Sequence, residues 1–525
     1  MNTEITNTNL NGGFQNKRTD LIVFLTFAVL LVAAMSVHEP WFDEAESWLI
    51  ARDNTLYEMI FVTPHYEGHP SLWWLLLAIP AKLGVPYEIG LKSVQLVFAL
   101  FYAYLIVFCS PFPKPVKYLL PFTYFLFFQH GVMARPYSMM TVAMILSAIT
   151  WEERNEKPAR FCAALGFLCL TSAYGILIAG GIAVVWTIEL LRDKKLFSNL
   201  TRILSMLGLL LLALFLLYTL LPRPDTYATN TFDPITHADF VRVLMYFIFF
   251  IPSETLVTTY ASDGAIKNFA PGISEIIVMT VISLVFWLLI ITAGKKKGCL
   301  LYFLVPYALL AFFGSAKYFW FHHIGVVFIL ILFYAWIVVS ESATLSFSNI
   351  TTLEKIRNGF VLLSLICGIS WSVSNTVTDI KMPYSLGREL SSYIVENQLE
   401  GKNWITTWQR VKDKNTEEVI SENTHEYSQI GVEVNAYLDF NLFGDNFGGK
   451  TYLDHRIPTK EEIDKDYELL KSKKIDYMIS MLEKDVWDEL DLGNDYRMDT
   501  VMTFDRIWKA RHFIVDVFII KNINQ

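Results

Sequence analysis

Charge is scarce in this sequence. Of 525 residues only 18% are Asp, Glu, Lys or Arg, and the net charge of −8 averages over two unlike parts. No stretch gathers the basic residues that a nucleic-acid footprint needs, so nucleic acid is excluded as a partner. Cysteine is scarcer still. Cys109, Cys162, Cys169, Cys299 and Cys367 are the five, and each falls inside an apolar run. None stands in a candidate exterior loop or in the C-terminal part, so they form neither a disulfide framework nor a zinc ligand set.

What is abundant is apolar sequence, at 53% of residues. Apolar runs cover 20–37, 70–84, 91–110, 117–132, 136–151, 160–173, 174–191, 200–221, 273–293, 299–315, 324–340 and 358–375. Their number and length predict a polytopic α-helical membrane protein with about 11–13 transmembrane helices. After residue 376 the composition becomes that of a charged soluble domain. GRELSSYIVENQ (387–398) and TKEEIDKDYELLKSKK (459–474) read as helices, and NWITTW, KIDYMIS and HFIVDVFIIK as strands. That pattern predicts a C-terminal soluble α/β domain over 376–525. Asp464-Lys465-Asp466 has a DxD spacing but sits in a charged helical run, and reads as a solvated face.

The polar segment 1–19 reads as a cytoplasmic tail, and 20–375 as the membrane domain. Lys17 and Arg18 hold the N-terminus inside, and the run 20–37 is long for a signal-peptide core, so it reads as an uncleaved anchor. Lys114/Lys117, Arg154/Lys157/Arg160, Arg192/Lys194/Lys195, Lys295–Lys297 and Lys355/Arg357 then mark cytoplasmic loops. The exterior face receives 38–69, ARPY (134–137), TSAYG (171–175), SAKYFWFHH (315–323), the long loop 222–272 and everything after 376. The count does not close. Loops 38–69 and 222–272 both belong outside, which needs an even number of crossings, and seven runs lie between them. The short, Pro-bounded run 70–84 is the expected partial span. FVRVLMYFIFFIP (240–252) is expected to lie at the interface.

One membrane face thus collects Asp43, Glu44, Arg52, His65, Glu67, His69, Arg135, Tyr137, Tyr174, Lys317, His322 and His323. The other shows only the basic residues that topology requires. A carboxylate beside cations at a membrane surface suits transfer from a lipid phosphate: the acid takes the proton of an attacking hydroxyl, and the cations hold the departing phosphate. Each residue also has an ordinary role. Asp43 and Glu44 fit the N-terminus of a helix. Arg135 fits a snorkelling position. The Trp and Tyr residues of the first loop fit an interfacial belt. His65, Glu67 and His69 alternate closely enough to hold a divalent metal ion, and equally fit an irregular loop of hydrogen-bonded histidines.

FDEA (42–45) after the first span, followed by GHPSLWWLLL (68–77), resembles the GT-C glycosyltransferases, polytopic enzymes that use polyprenyl-phosphate-linked sugars. ARPYSMMTVAMIL (134–146) is similar to a segment of bacterial members. SAKYFWFHHIGVVFILILFYAWI (315–337) resembles a late Arg-His-His-Gly segment, with Phe321 in place of the arginine and Ile324 in place of the glycine. The resemblance covers roughly 20–375. It implies Asp43 as catalytic base, Glu44 as its support, and Arg135, Lys317, His322 and His323 on the donor phosphate. His69, Tyr137 and Arg52 would line the substrate. The expected function is inverting transfer of a sugar from a polyprenyl-phosphate donor to a lipid, glycan or protein acceptor, outside the plasma (inner) membrane, among membrane lipids. The alternatives are a transporter or flippase of lipid-linked saccharide, and a non-catalytic subunit of an envelope-polysaccharide complex. A transporter would carry charges in mid-span and matching broken helices. Phe321 favours the subunit.

Overall fold

The computed structural model describes residues 5–226, 237–259, 271–317, 319–340, 351–406, 409–412, 419–423, 429–444, 449–453, 455–456, 461, 475–480 and 496–523. The expected helix over 459–474, with its DxD spacing, lies outside these apart from Glu461. The described helices run in order α1 (Ile5–Val37), α2 (Phe42–Asp53), α3 (Leu56–Phe61), α4 (Pro64–Glu67), α5 (Leu72–Lys82), α6 (Tyr87–Tyr104), α7 (Lys114–Leu119), α8 (Tyr137–Trp151), α9 (Pro158–Cys169), α10 (Ala173–Arg192) and α11 (Leu200–Leu220). After these come α12 (His237–Phe249), α13 (Ile251–Leu256), α14 (Ile273–Lys297), α15 (Leu301–Ala316), α16 (Ile324–Ser340), α17 (Thr352–Lys381), α18 (Gly387–Glu396) and α19 (Gln429–Tyr437). The strands are β1 (Trp404–Thr406), β2 (Gln409–Lys412), β3 (Val419–Asn423), β4 (Tyr477–Ser480), β5 (Tyr496–Trp508) and β6 (Arg511–Asn522).

The helical class expected from the apolar runs is the one observed. Among the described residues seven helices are long and apolar enough to cross a membrane: Lys17–Val37, Tyr87–Cys109, Ala173–Arg192, Leu200–Leu220, Ile273–Lys297, Phe321–Ser340 and Thr352–Lys381. Leu72–Lys82, Tyr137–Trp151, Pro158–Cys169 and Leu301–Ala316 are shorter apolar helices. The run 70–84 is helical for 11 residues. At a rise of about 1.5 Å per residue that covers about half of a ~30 Å hydrocarbon core.

The chain forms two compact units. The first comprises Met1–Ser36, Gln95–Leu220 and Phe232–Thr376; the second comprises Val37–Val94, Leu221–Thr231 and Val377–Gln525.

In the first unit α8 packs on α9 and α16, and α10 packs on α9 and α15. Burial separates the centre of the bundle from its rim. The Phe321–Ser340 span is 72% buried and Leu200–Leu220 only 11%, so the former is core and the latter offers its leucines outward. Two segments wind as π-helix, Leu105–Cys109 and Phe125–Val132. Wide turns of this kind concentrate at functional sites, and the second carries Gln129 and His130.

In the second unit α2 packs on α5 and on α19, and α18 packs on α19. Four strands form one mixed sheet in the order β1-β4-β6-β5. β1 runs parallel to β4; β4–β6 and β5–β6 are antiparallel. The three strands expected from NWITTW, KIDYMIS and HFIVDVFIIK correspond to β1, β4 and β6, so the α/β character of the C-terminal part stands. β5 is the strand the sequence hides. Charged Arg497, Asp499, Asp505 and Arg506 interrupt its alternation.

Candidate active site

The acidic pair of FDEA lies in the first turn of α2, and its two carboxylates have different jobs. Glu44 is 1% exposed. Its Oε2 accepts the Trp41 backbone N–H at 3.2 Å, which caps the helix, and lies 3.2 Å from His38 Nε2. Asp43 is half-buried. Capping and core contact therefore fall to Glu44, and Asp43 keeps partial access to solvent.

His38 joins Glu44 to the end of α17. Its Nδ1 lies 2.9 Å from Asp379 Oδ2, and the imidazole is wholly buried. Burial alone would lower its pKa, but the Asp379 and Glu44 carboxylates outweigh it and raise it to about 10. His38 is thus an imidazolium clasped between two carboxylates. Beside it Glu39 is buried too, and burial together with the Glu389 carboxyl pushes its pKa up to about 10. Glu39 is held as the neutral acid. Its Oε1 accepts the Arg388 N–H at 2.7 Å. Gln reproduces the shape and hydrogen bonding of a protonated Glu, so Glu39→Gln is expected to shift the unfolding midpoint little at neutral pH. Glu44→Gln, which removes a paired charge, is expected to lower it clearly.

One turn beyond Asp43, Glu46 stands with Glu67 and His455. His455 Nε2 is 3.7 Å from Glu46 Oε1 and 3.8 Å from Glu67 Oε1, and the three donor atoms lie within 4.8 Å of one another. These separations are long for hydrogen bonds. They are near the ~3.4 Å spacing of two ligands bound at about 2.1 Å to one tetrahedral ion. The mixed carboxylate and imidazole set suits Zn²⁺ or Mn²⁺. Of the three metal candidates in the first loop, only Glu67 enters this group. His65 Nδ1 donates to the Leu221 carbonyl at 2.6 Å. Gly68, in left-handed backbone at φ +67°, ends the short helix α4 before His69. Arg52 donates to the Leu438 carbonyl at 2.8 Å and pairs with Asp53 at 2.7 Å.

The other expected residues belong to the first unit. Arg135 is half-buried, two residues ahead of Tyr137, where α8 begins, with its guanidinium 5.1 Å over the Tyr137 ring. His322 and His323 immediately precede α16. Both segments end at helix N-termini, where unsatisfied N–H groups favour anions. His323 is buried against Tyr174, ring to ring at 4.9 Å, and its Nδ1 accepts the Trp320 N–H at 3.0 Å. The neutral ring then carries its proton on Nε2. His322 is half-buried and Lys317 is exposed just after α15.

The π-turn links these two segments. Gln129 Nε2 donates to the His322 carbonyl at 2.6 Å. Gln95 Nε2 donates to the His130 carbonyl at 2.7 Å, and Gln95 Oε1 accepts from Ser138 Oγ at 2.8 Å. Gly325 permits the approach: a Cβ there would meet His130 Nε2 at 2.6 Å and Gln129 Oε1 at 2.9 Å. Gly325, one place after Ile324, is thus the position in this segment where a side chain would not fit. Gly325→Ala is expected to cost about 1–3 kcal/mol by overpacking, read as a lower unfolding temperature. Sequence reasoning passed over His38, Glu46, Gln129, His130, Asp379 and His455. Gln129-His130 did carry a signal, since polar residues inside an apolar run mark function.

No family model matches the chain, and no curated protein matches its sequence. Among solved structures the chain is similar to ArnT from Cupriavidus metallidurans bound to undecaprenyl phosphate, at 12% identity and a TM-score of 0.45, over 94% of this chain and 97% of that one. The same protein in its apo state matches at 12% identity and a TM-score of 0.41, over 95% and 97%. The functional reading rests on the residues of this chain.

Proposed function

We propose that this protein is a GT-C-type glycosyltransferase that moves a sugar from a polyprenyl-phosphate-linked donor to an acceptor on the non-cytoplasmic side of the inner membrane. The observation that carries the reading is the division of labour in FDEA. Glu44 caps the helix and contacts His38, while Asp43, beside it in the same turn, is only half-buried and is assigned the acceptor hydroxyl. In the proposed step Asp43 takes the proton of the acceptor hydroxyl. The acceptor oxygen bonds to the anomeric carbon as that carbon's bond to the phosphate oxygen breaks, and polyprenyl phosphate leaves with the electron pair. One base and no covalent intermediate give inversion. Arg135, Lys317, His322 and His323 are assigned to the phosphate, by their charge and by the helix N-termini behind Arg135 and the histidines. His69 and Tyr137 are assigned to the substrate rim. Arg52 is assigned there too, with its guanidinium held by Asp53 and the Leu438 carbonyl.

The test is reconstitution. The purified protein in proteoliposomes, given a panel of polyprenyl-phosphate sugars and the matching nucleotide sugars, is expected to transfer from a lipid-linked donor and from none of the nucleotide donors. Use of a nucleotide donor, or transfer from neither class across the panel, contradicts the reading.

Glu46, Glu67 and His455 are proposed to hold a divalent ion. When bound, it would neutralise two carboxylates and brace the helix that carries Asp43. Zn²⁺ or Mn²⁺ at 100 times its Kd is expected to stabilise the protein by about 2.7 kcal/mol. Glu67→Gln is expected to abolish most of that shift in a thermal melt. An equal shift in the variant would remove Glu67 from the ligand set.

A further inference from the structure

The second unit contains an open cavity of about 550 Å³ with no part in the chemistry above. Eleven described residues line it, among them Asp53, Glu58, Asp439, Phe440, Lys450 and Thr451. Its size is that of an ordinary small-molecule pocket, but such pockets are mostly apolar. Among the described lining residues none is aliphatic, and Phe440 and Tyr452 carry the rings. Among these residues a lipid tail or an apolar peptide anchor finds little to bury against.

The cavity is built rather than incidental. On one wall the buried Asn54 donates to Thr63 Oγ1 at 3.0 Å and accepts from the Tyr452 hydroxyl at 2.8 Å. Asp53 takes both the Arg52 guanidinium, at 2.7 and 3.0 Å, and the Thr451 hydroxyl. On the other wall the fully buried Asn435 accepts the Leu442 N–H at 3.0 Å and donates to Asn441 Oδ1 at 3.2 Å and to the Thr451 carbonyl at 3.1 Å. Asn441 in turn donates to the carbonyls of Gly444 and Lys450. Amides buried for this purpose pre-organise the loop around the space they leave.

The charge balance narrows the ligand. Among the described lining residues three carboxylates, Asp53, Glu58 and Asp439, stand with two cations, and Arg52 is already shared between Asp53 and the Leu438 carbonyl. This excess disfavours phosphates and nucleotides. It favours a compact ligand rich in hydroxyls, neutral or carrying an amine. Carboxylate and amide groups pair with vicinal hydroxyls, and the exposed Phe440 ring (38%) offers a face for C–H groups of a sugar ring.

We propose that this cavity binds a sugar residue of a saccharide acceptor. The acceptor role rests on the glycosyltransferase reading; occupancy of the cavity by a sugar does not. Binding is therefore measured without donor and with Asp43→Asn protein, so failure of binding and failure of transfer are separate results. The probes are D-glucose, D-glucosamine and glucose 6-phosphate. The full-length protein is held in phospholipid nanodiscs free of glycoside detergents, which would compete, and saturation-transfer NMR is read on the sugar ring protons.

Glucose and glucosamine are expected to bind, and glucose 6-phosphate about tenfold more weakly or not at all. Asp439→Asn is expected to weaken glucosamine more than glucose, and Phe440→Ala to weaken both. Both residues are exposed, so neither change threatens the fold. Three results would each overturn the proposal: no saturation transfer from glucose or glucosamine, binding unchanged in both variants, or glucose 6-phosphate binding tightest.

Discussion

Replacing Asp43 by Asn is expected to lower the rate of sugar transfer by about 10²–10⁴-fold with the protein still folded. Asn keeps the size of the side chain and removes its basicity. The neighbours of Asp43 in the turn carry structural contacts. Glu44 accepts the Trp41 N–H and contacts His38, and Phe42 and Ala45 are in the core. Loss of one carboxylate from the helix N-terminus costs only about 0.3–1 kcal/mol. The variant should therefore melt near the parent temperature while initial rates in proteoliposomes collapse. Retained transfer would remove Asp43 from the base role. Collapse of both rate and melting temperature would make Asp43 a structural acid.

Replacing His38 by Leu is expected to have the largest effect on stability, about 3–5 kcal/mol. Leu removes the cation and leaves the Glu44 and Asp379 carboxylates buried with each other's charge. A triple variant with Leu at 38, 44 and 379 should recover most of the loss, because a buried charge network can be replaced by apolar packing at little net cost. The pH dependence has a definite sign. The folded pKa of His38, about 10, lies above its ordinary 6.5. The stabilisation is fully present below pH 6.5 and is lost as pH rises through about 10. The gap in melting temperature between parent and His38→Leu should therefore narrow as pH rises to about 10. A gap that grows with pH over that range would show that His38 is not held as the cation.

The membrane spans and the acidic turn were legible because both are local. A run such as 200–221 declares itself by length and composition. FDEA following an exit from the membrane declares a helix N-terminus with two acids. Parity and a flanking proline single out 70–84, and the helix there, α5, has 11 residues. What could not be read was the partner set. His38 meets Asp379 across 341 residues of chain, and no spacing rule spans that distance. Glu46, Glu67 and His455 come from a helix, a one-turn helix and an isolated residue of the C-terminal part. The alternation of His65, Glu67 and His69 fits a local ligand trio or a hydrogen-bonded loop, and of the three Glu67 lies beside Glu46 and His455. The π-turn at 125–132 also had no local signature beyond Gln129-His130 in an apolar run.

The most direct test of the central claim follows the lipid rather than the sugar. With a radiolabelled polyprenyl-phosphate sugar in proteoliposomes and a saccharide acceptor present, free polyprenyl phosphate is measured alongside movement of the intact donor across the bilayer. A transferase releases one polyprenyl phosphate for each sugar moved, and Asp43→Asn abolishes the release. Intact donor crossing the bilayer with no release would contradict the account and identify a transporter instead.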